Sequence, residues 1–155
     1  MRNVLLAWLA FAALAQAQSV YLVRGGRPEA TLIIGQGASP FYRFVAAELN
    51  RYFAAISGSP LAVNPSGGAT PSGITIAIGG PEVNPLARQA SEKNLADFRG
   101  LKKDGYILTR VKLDGRDVLL AGGNDEAATM YAAYDLVERL GVTFLLTKDI
   151  LPERT

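Results

Sequence analysis

Fourteen carboxylates, five lysines and six tyrosines are the groups available for acid–base chemistry in this 155-residue chain, which has neither histidine nor cysteine. A His-based triad, an imidazole base, a thiol nucleophile and thiolate or imidazole metal ligands are therefore excluded. Hydrolysis by paired carboxylates needs two of them converging across a cleft, roughly 5–10 Å apart. The carboxylates here fall instead at positions that structure explains. Asp125 and Glu126 sit at a helix start, Asp114 and Asp117 flank a hairpin turn, and Glu48, Asp135 and Glu138 lie on helix surfaces. No residue is assigned as catalytic, cofactor-binding or metal-ligating, and no cofactor is expected.

Two glycine-rich turns sit where anions can bind. Gly35-Gln36-Gly37 and Gly122-Gly123 each follow a strand pattern and precede a helix start. Neither completes G-x-G-x-x-G or ends in the Gly-Lys-Ser/Thr of a P-loop, so a structural role for these glycines is the stronger reading. A sugar-binding surface would offer exposed aromatic rings. Phe41, Phe44, Tyr52, Phe53, Tyr131 and Tyr134 recur at helical spacing and are expected in the core, which leaves Tyr21, Tyr42 and Tyr106 as candidates for exposure.

The elements that position these residues read as two similar halves. Ser19–Val23 and Ala30–Ile34 are strands around the turn at 24–28, and Ser39-Pro40 opens a helix that runs to about Ile56. Its stripe is Phe41, Phe44, Val45, Leu49, Tyr52, Phe53 and Ile56. Leu61–Val63 and Ile74–Ile78 are strands on either side of a Gly/Ser/Pro-rich loop, and Glu82–Gly100 holds one or two short helices. Gly105–Leu113 and Asp117–Ala121 form a hairpin around Asp114-Gly115-Arg116. A second helix spans Asp125 to about Leu140, with Ala127, Met130, Tyr131, Tyr134, Val137 and Leu140 as its stripe. Val142–Leu146 is a last strand. Hairpins mixed with single helices predict an α/β, two-layer sandwich: a mixed, largely antiparallel sheet under two main helices. A doubly wound parallel sheet, which wants a helix after nearly every strand, ranks second.

Both helices carry alanines outside these stripes: Ala46, Ala47, Ala54 and Ala55 in the first, Ala128, Ala132 and Ala133 in the second. Alanine is a good helix former, which is one explanation. The other is that each helix is covered twice, by the sheet and by a further partner.

The start of the chain reads as a secretory signal. Arg2 precedes an uninterrupted apolar run from Val4 to Leu14, and Ala15-Gln16-Ala17 places cleavage before Gln18. Eleven apolar residues rise only about 16 Å as a helix, too little for a hydrocarbon core of roughly 30 Å. The expected organisation is a signal peptide at 1–17, an α/β domain at 18–148 and a linker beginning at 149–155. The protein is then secreted or periplasmic, with no membrane span after cleavage. Loss of Arg2 lowers the formal net charge of +2 by one unit, so the pI near 9.0 gives no field for nucleic acid. Trp8, the single tryptophan, leaves with the signal.

Two segments carry a family resemblance. LVRGGRPEATLIIGQGASPFYRFVAAELNRYFAAISGSPLAV is similar to the opening of the N-terminal domains of α-glucuronidase-type (family 67-like) and bacterial β-hexosaminidase-type glycoside hydrolases. DGYILTRVKLDGRDVLLAGGNDEAATMYAAYDLVERLGVTFLL resembles the close of the same domain. The resemblance implies a β-hexosaminidase second-domain-like sandwich packed on a following (β/α)₈ barrel that holds the catalytic carboxylates. No family catalytic residue maps onto this chain. Two functions stay open: a non-catalytic accessory domain of an exported hydrolase of polysaccharide or glycan, or a stand-alone secreted module that binds carbohydrate or protein.

Overall fold

The computed structural model describes residues 21–64 and 73–153. The expected signal and its expected cleavage point, the first two residues of the predicted Ser19–Val23 strand, the loop at 65–72 and the last two residues lie outside the described residues. A small ladder, β1 (Val23–Arg24) with β2 (Arg27–Pro28), precedes the main sheet. That sheet has five strands: β3 (Ala30–Ile33), β4 (Ala62–Asn64), β5 (Ile74–Ile78), β6 (Tyr106–Leu113) and β7 (Arg116–Gly123), in the order β4-β3-β5-β7-β6. The helices are α1 (Pro40–Ser57), α2 (Pro85–Glu92) and α3 (Glu126–Arg139). A second small ladder, β8 (Thr143–Phe144) with β9 (Asp149–Ile150), follows α3.

The α/β sandwich and its mixed sheet match the sequence reading, but the sheet is not largely antiparallel. β3 pairs parallel with both β4 and β5, and β5 pairs parallel with β7. Only the hairpin β6–β7 is antiparallel. The signal lay in composition. Ile74-Thr75-Ile76-Ala77-Ile78 is buried at all five positions, the pattern of a central strand covered on both faces rather than of a hairpin arm. β4 and β5, consecutive in sequence, are separated by β3 and both pair parallel with it, so the two do not form a hairpin. The hairpin itself is as expected. Leu113 faces Arg116 across a two-residue loop, and both Asp114 (φ 49°) and Gly115 (φ 79°) take the left-handed conformation that a type I′ turn requires.

Alternation along the strands sends side chains to two cores. Leu32, Ile34, Ile74, Ile76, Ile78 and Ala121 meet α1 and α3 on one face. Ile33, Ala77, Val118 and Leu120 meet Leu86, Ala87 and Ala90 of α2 and Phe98 on the other, so the second face is covered by α2 and the segment after it.

The region read as least structured contains a tight join. Asn84 is fully buried and caps α2, accepting from the Leu86 amide at 3.0 Å. Its side-chain amide donates to the carbonyls of Ile33 (2.9 Å) and Ile78 (3.0 Å), tying the ends of β3 and β5 together. Replacing it removes a buried donor from two carbonyls and the acceptor of one helix amide. Asn84→Ala is expected to cost about 2–4 kcal/mol of stability, measured by urea unfolding.

Candidate functional site

In open α/β sheets, ligands usually bind beyond the carboxyl ends of the parallel strands, where successive connections leave in opposite directions. In this chain that place lies between β3 and β5, whose connections run to α1 on one face and α2 on the other. It is filled by the chain itself. The Asn84 side chain plugs the crevice between the two strands, and a Cβ at Gly35 would run into the Val83 carbonyl. The α1 N-terminus is also taken. The Ser39 hydroxyl, instead of capping its helix, donates to the Glu126 carboxylate at the start of α3. Tyr42 packs beneath, its hydroxyl pKa raised first by burial and then by Glu126 and Asp125. The second turn, Gly122-Gly123, faces protein as well: a Cβ on Gly122 would strike the Gly79 backbone and one on Gly123 the Ala128 side chain. Gly35, Gly122 and Gly123 therefore serve close packing, whereas Gly37 faces open space.

Several carboxylates lie apart over the surface in ion pairs. Asp135 accepts from Arg139 at 2.8 Å and from Tyr106 at 3.2 Å, and these bonds, Arg139 first, hold its pKa below the ordinary carboxylate range. Glu48 pairs with Arg51, Asp117 with Arg110 and Lys112, Asp114 with Lys93, and Glu29 with Arg24. Asp125 caps α3 through the Ala128 amide. Among the described residues no group of three or more Asp and Glu is placed to hold a metal ion.

What remains is an apolar seam on the outer side of α1 and α3, and it does not follow the predicted stripes. α3 turns Ala128, Thr129, Ala132, Ala133, Leu136 and Val137 inward. The alanines assigned to its outer face are therefore its inner face. Small side chains there, with Gly122 and Gly123 at the end of β7, let the helix lie close to the sheet. Met130 and Tyr134 are left half-buried and Tyr131 is 44% exposed. In α1 the buried set is Tyr42, Val45, Ala46, Leu49, Tyr52 and Phe53, so Tyr42, expected outside, is inside, while Phe44, expected inside, is 50% exposed. Ala47 is exposed, and Ala54 and Ala55 are half-buried. Phe44 lies 6.1 Å from the Phe41 ring and, with Glu48, Tyr52, Met130 and Tyr134, borders the groove between the helices. Tyr21 and Tyr106 are exposed as expected. Sequence reading missed a second apolar group, Leu145, Leu146, Ile150 and Leu151, all exposed beyond α3.

The two faces of α3 respond oppositely to substitution. Ala132→Leu overpacks the inner face and is expected to cost about 1–3 kcal/mol. Phe44→Gln and Tyr131→Gln should each change stability by less than about 1 kcal/mol. Thermal and urea unfolding of the three variants check the assignment.

The sequence from 7 to 136 matches the family described as the glycosyl hydrolase family 67 N-terminus. No curated protein matches the chain. The matched span takes in α1, the five-stranded sheet, α2 and most of α3. A glycine-packed α/β sandwich with an uncovered helical face is thus the setting of the match, and the chain belongs to the glycosyl hydrolase family 67 N-terminal domain family.

Proposed function

We propose that this domain is the non-catalytic N-terminal accessory part of an exported glycoside hydrolase that breaks down polysaccharide or glycan. Family membership supports the hydrolase, and the description as an N-terminus implies a C-terminal partner domain. The observation that carries the accessory role is the seam of Phe44, Met130 and Tyr134, with Tyr131 exposed on the same helix, an apolar surface on helices already packed on the sheet by their other side. A catalytic (β/α)₈ barrel following this domain covers that seam and supplies the carboxylate pair. Contiguous exposed apolar surface of this kind marks an interaction site.

Export rests on the residues at 1–17, whose charge, apolar run and small-residue ending fit a cleaved signal for the secreted or periplasmic space. The family match begins inside that stretch, at residue 7. Among the described residues no helix is long and apolar enough to cross a membrane.

The alternative, a stand-alone secreted module binding carbohydrate or protein, has one observation in its favour. Tyr21 is 50% exposed, with the Arg24 guanidinium 4.1 Å from its ring centroid. Solution behaviour separates the two readings. The accessory reading predicts that the purified chain self-associates at micromolar concentrations and binds a hydrophobic dye, and that Phe44→Gln with Tyr131→Gln suppresses both. A monomer without dye binding that retains a glycan on an affinity gel overturns it. Sedimentation equilibrium and the gel assay give the answer.

A further inference from the structure

Beyond α3 the chain turns at Gly141 (φ 97°) and forms a hairpin joined to neither edge of the main sheet. Its ladder holds two residue pairs, Thr143 with Ile150 and Phe144 with Asp149, and the Leu145 amide donates to the Lys148 carbonyl at 3.1 Å. So short a two-stranded hairpin is marginal in water without tertiary support. The support comes from side chains far away in sequence. The Phe144 ring meets Tyr134 edge-on at 5.3 Å and Tyr52 at 5.7 Å, and Tyr52 and Tyr134 meet each other at 6.4 Å. The Tyr52 hydroxyl, on α1, donates to the Asp149 carboxylate at 2.6 Å across ninety-seven residues. The Arg51 guanidinium sits 4.2 Å from the Tyr52 ring centroid and bonds Glu48, which fixes the far side of the same ring.

We propose that Tyr52 and Asp149, closed over the ring trio Tyr52, Tyr134 and Phe144, form a latch that locks the β8–β9 hairpin onto α1 and α3. Locked, the hairpin sets the direction of the chain past Pro152 and holds Leu145, Leu146, Ile150 and Leu151 in one place. That this serves docking of the C-terminal partner domain rests on the accessory reading above; the latch itself does not. Tyr52 and Asp149 are positioning residues. A hydroxyl–carboxylate bond is the group for this task because it is short, directional and stronger than a neutral bond, whereas ring packing alone tolerates sliding.

Hydrogen–deuterium exchange on the full chain tests it, comparing wild type with Tyr52→Phe, Asp149→Ala and the double variant. Tyr52→Phe keeps the ring, so the core folds. Amides of the hairpin, Leu145 and Ile150 above all, are expected to exchange about tenfold faster or more in each single variant. The α1 and α3 amides keep their rates, and the double variant is no faster than the faster single one. Unchanged hairpin rates overturn the latch, as does an acceleration shared by the whole domain or an additive double variant. Any of those results leaves the accessory reading standing, because that reading is decided by the seam and not by the hairpin.

Discussion

The architecture depends on how closely α3 lies against the end of β7. There is no room for a Cβ at Gly122, against the Gly79 backbone, or at Gly123, against Ala128. Two strands and a helix therefore meet backbone to backbone, and the helix must present small side chains to the contact. Ala128, Ala132 and Ala133 do so, and rotating them inward forces Tyr131 outward and leaves Met130 and Tyr134 at the boundary. The apolar seam follows from the close packing: with Ala128, Ala132 and Ala133 turned to the sheet, α3 leaves Met130, Tyr131 and Tyr134 on its other side, while Leu136 and Val137 still reach the core.

The same closeness removes the place where a fold of this class would ordinarily hold a ligand. Asn84 takes the crevice between β3 and β5, Val83 closes over Gly35, and Glu126 occupies the Ser39 hydroxyl at the head of α1. Each is a polar or sterically tight contact satisfied within the chain, and together they make the carboxyl end of the sheet a structural joint. Surface chemistry moves to the helical side, where the exposed groups are aromatic and aliphatic and the ion pairs, such as Glu48–Arg51 and Asp135–Arg139, lie along the helices. A face of that composition suits contact with another protein surface better than chemistry on a small molecule.

Much of this was readable from residues alone, and the misses share a cause. Ser39-Pro40, Asp114-Gly115 and Gly141 mark boundaries through local backbone preferences, and helices and hairpin appear there within one or two residues. Strand direction is not local. Whether Ile74–Ile78 pairs with β4 or crosses to the far side of β3 is decided by tertiary packing, and only its charge-free, isoleucine-rich composition hinted at a parallel, doubly covered strand. Helix facing failed for a related reason. Helical spacing of the large apolar residues places Phe44 and Tyr131 on the inner stripes and leaves Ala128 and Ala132 outside them, but the glycines at β7 draw the alanines of α3 inward. The Gly-Gly turn was therefore the legible clue to α3's orientation, as it measures how near the helix can come. The hairpin after α3 was read as one strand and a linker because what holds it, Tyr52, Tyr134 and Asp149, is scattered along the chain.

The proposed function places this domain in a larger exported hydrolase whose partner domain covers the helical seam. The most direct measurement is the intact mass of the native protein, captured by antibody from the secreted and periplasmic fractions of the source organism. The account predicts a species far larger than 155 residues, beginning at Gln18. A species of about this chain's own mass, alone in those fractions and active in binding, would contradict it.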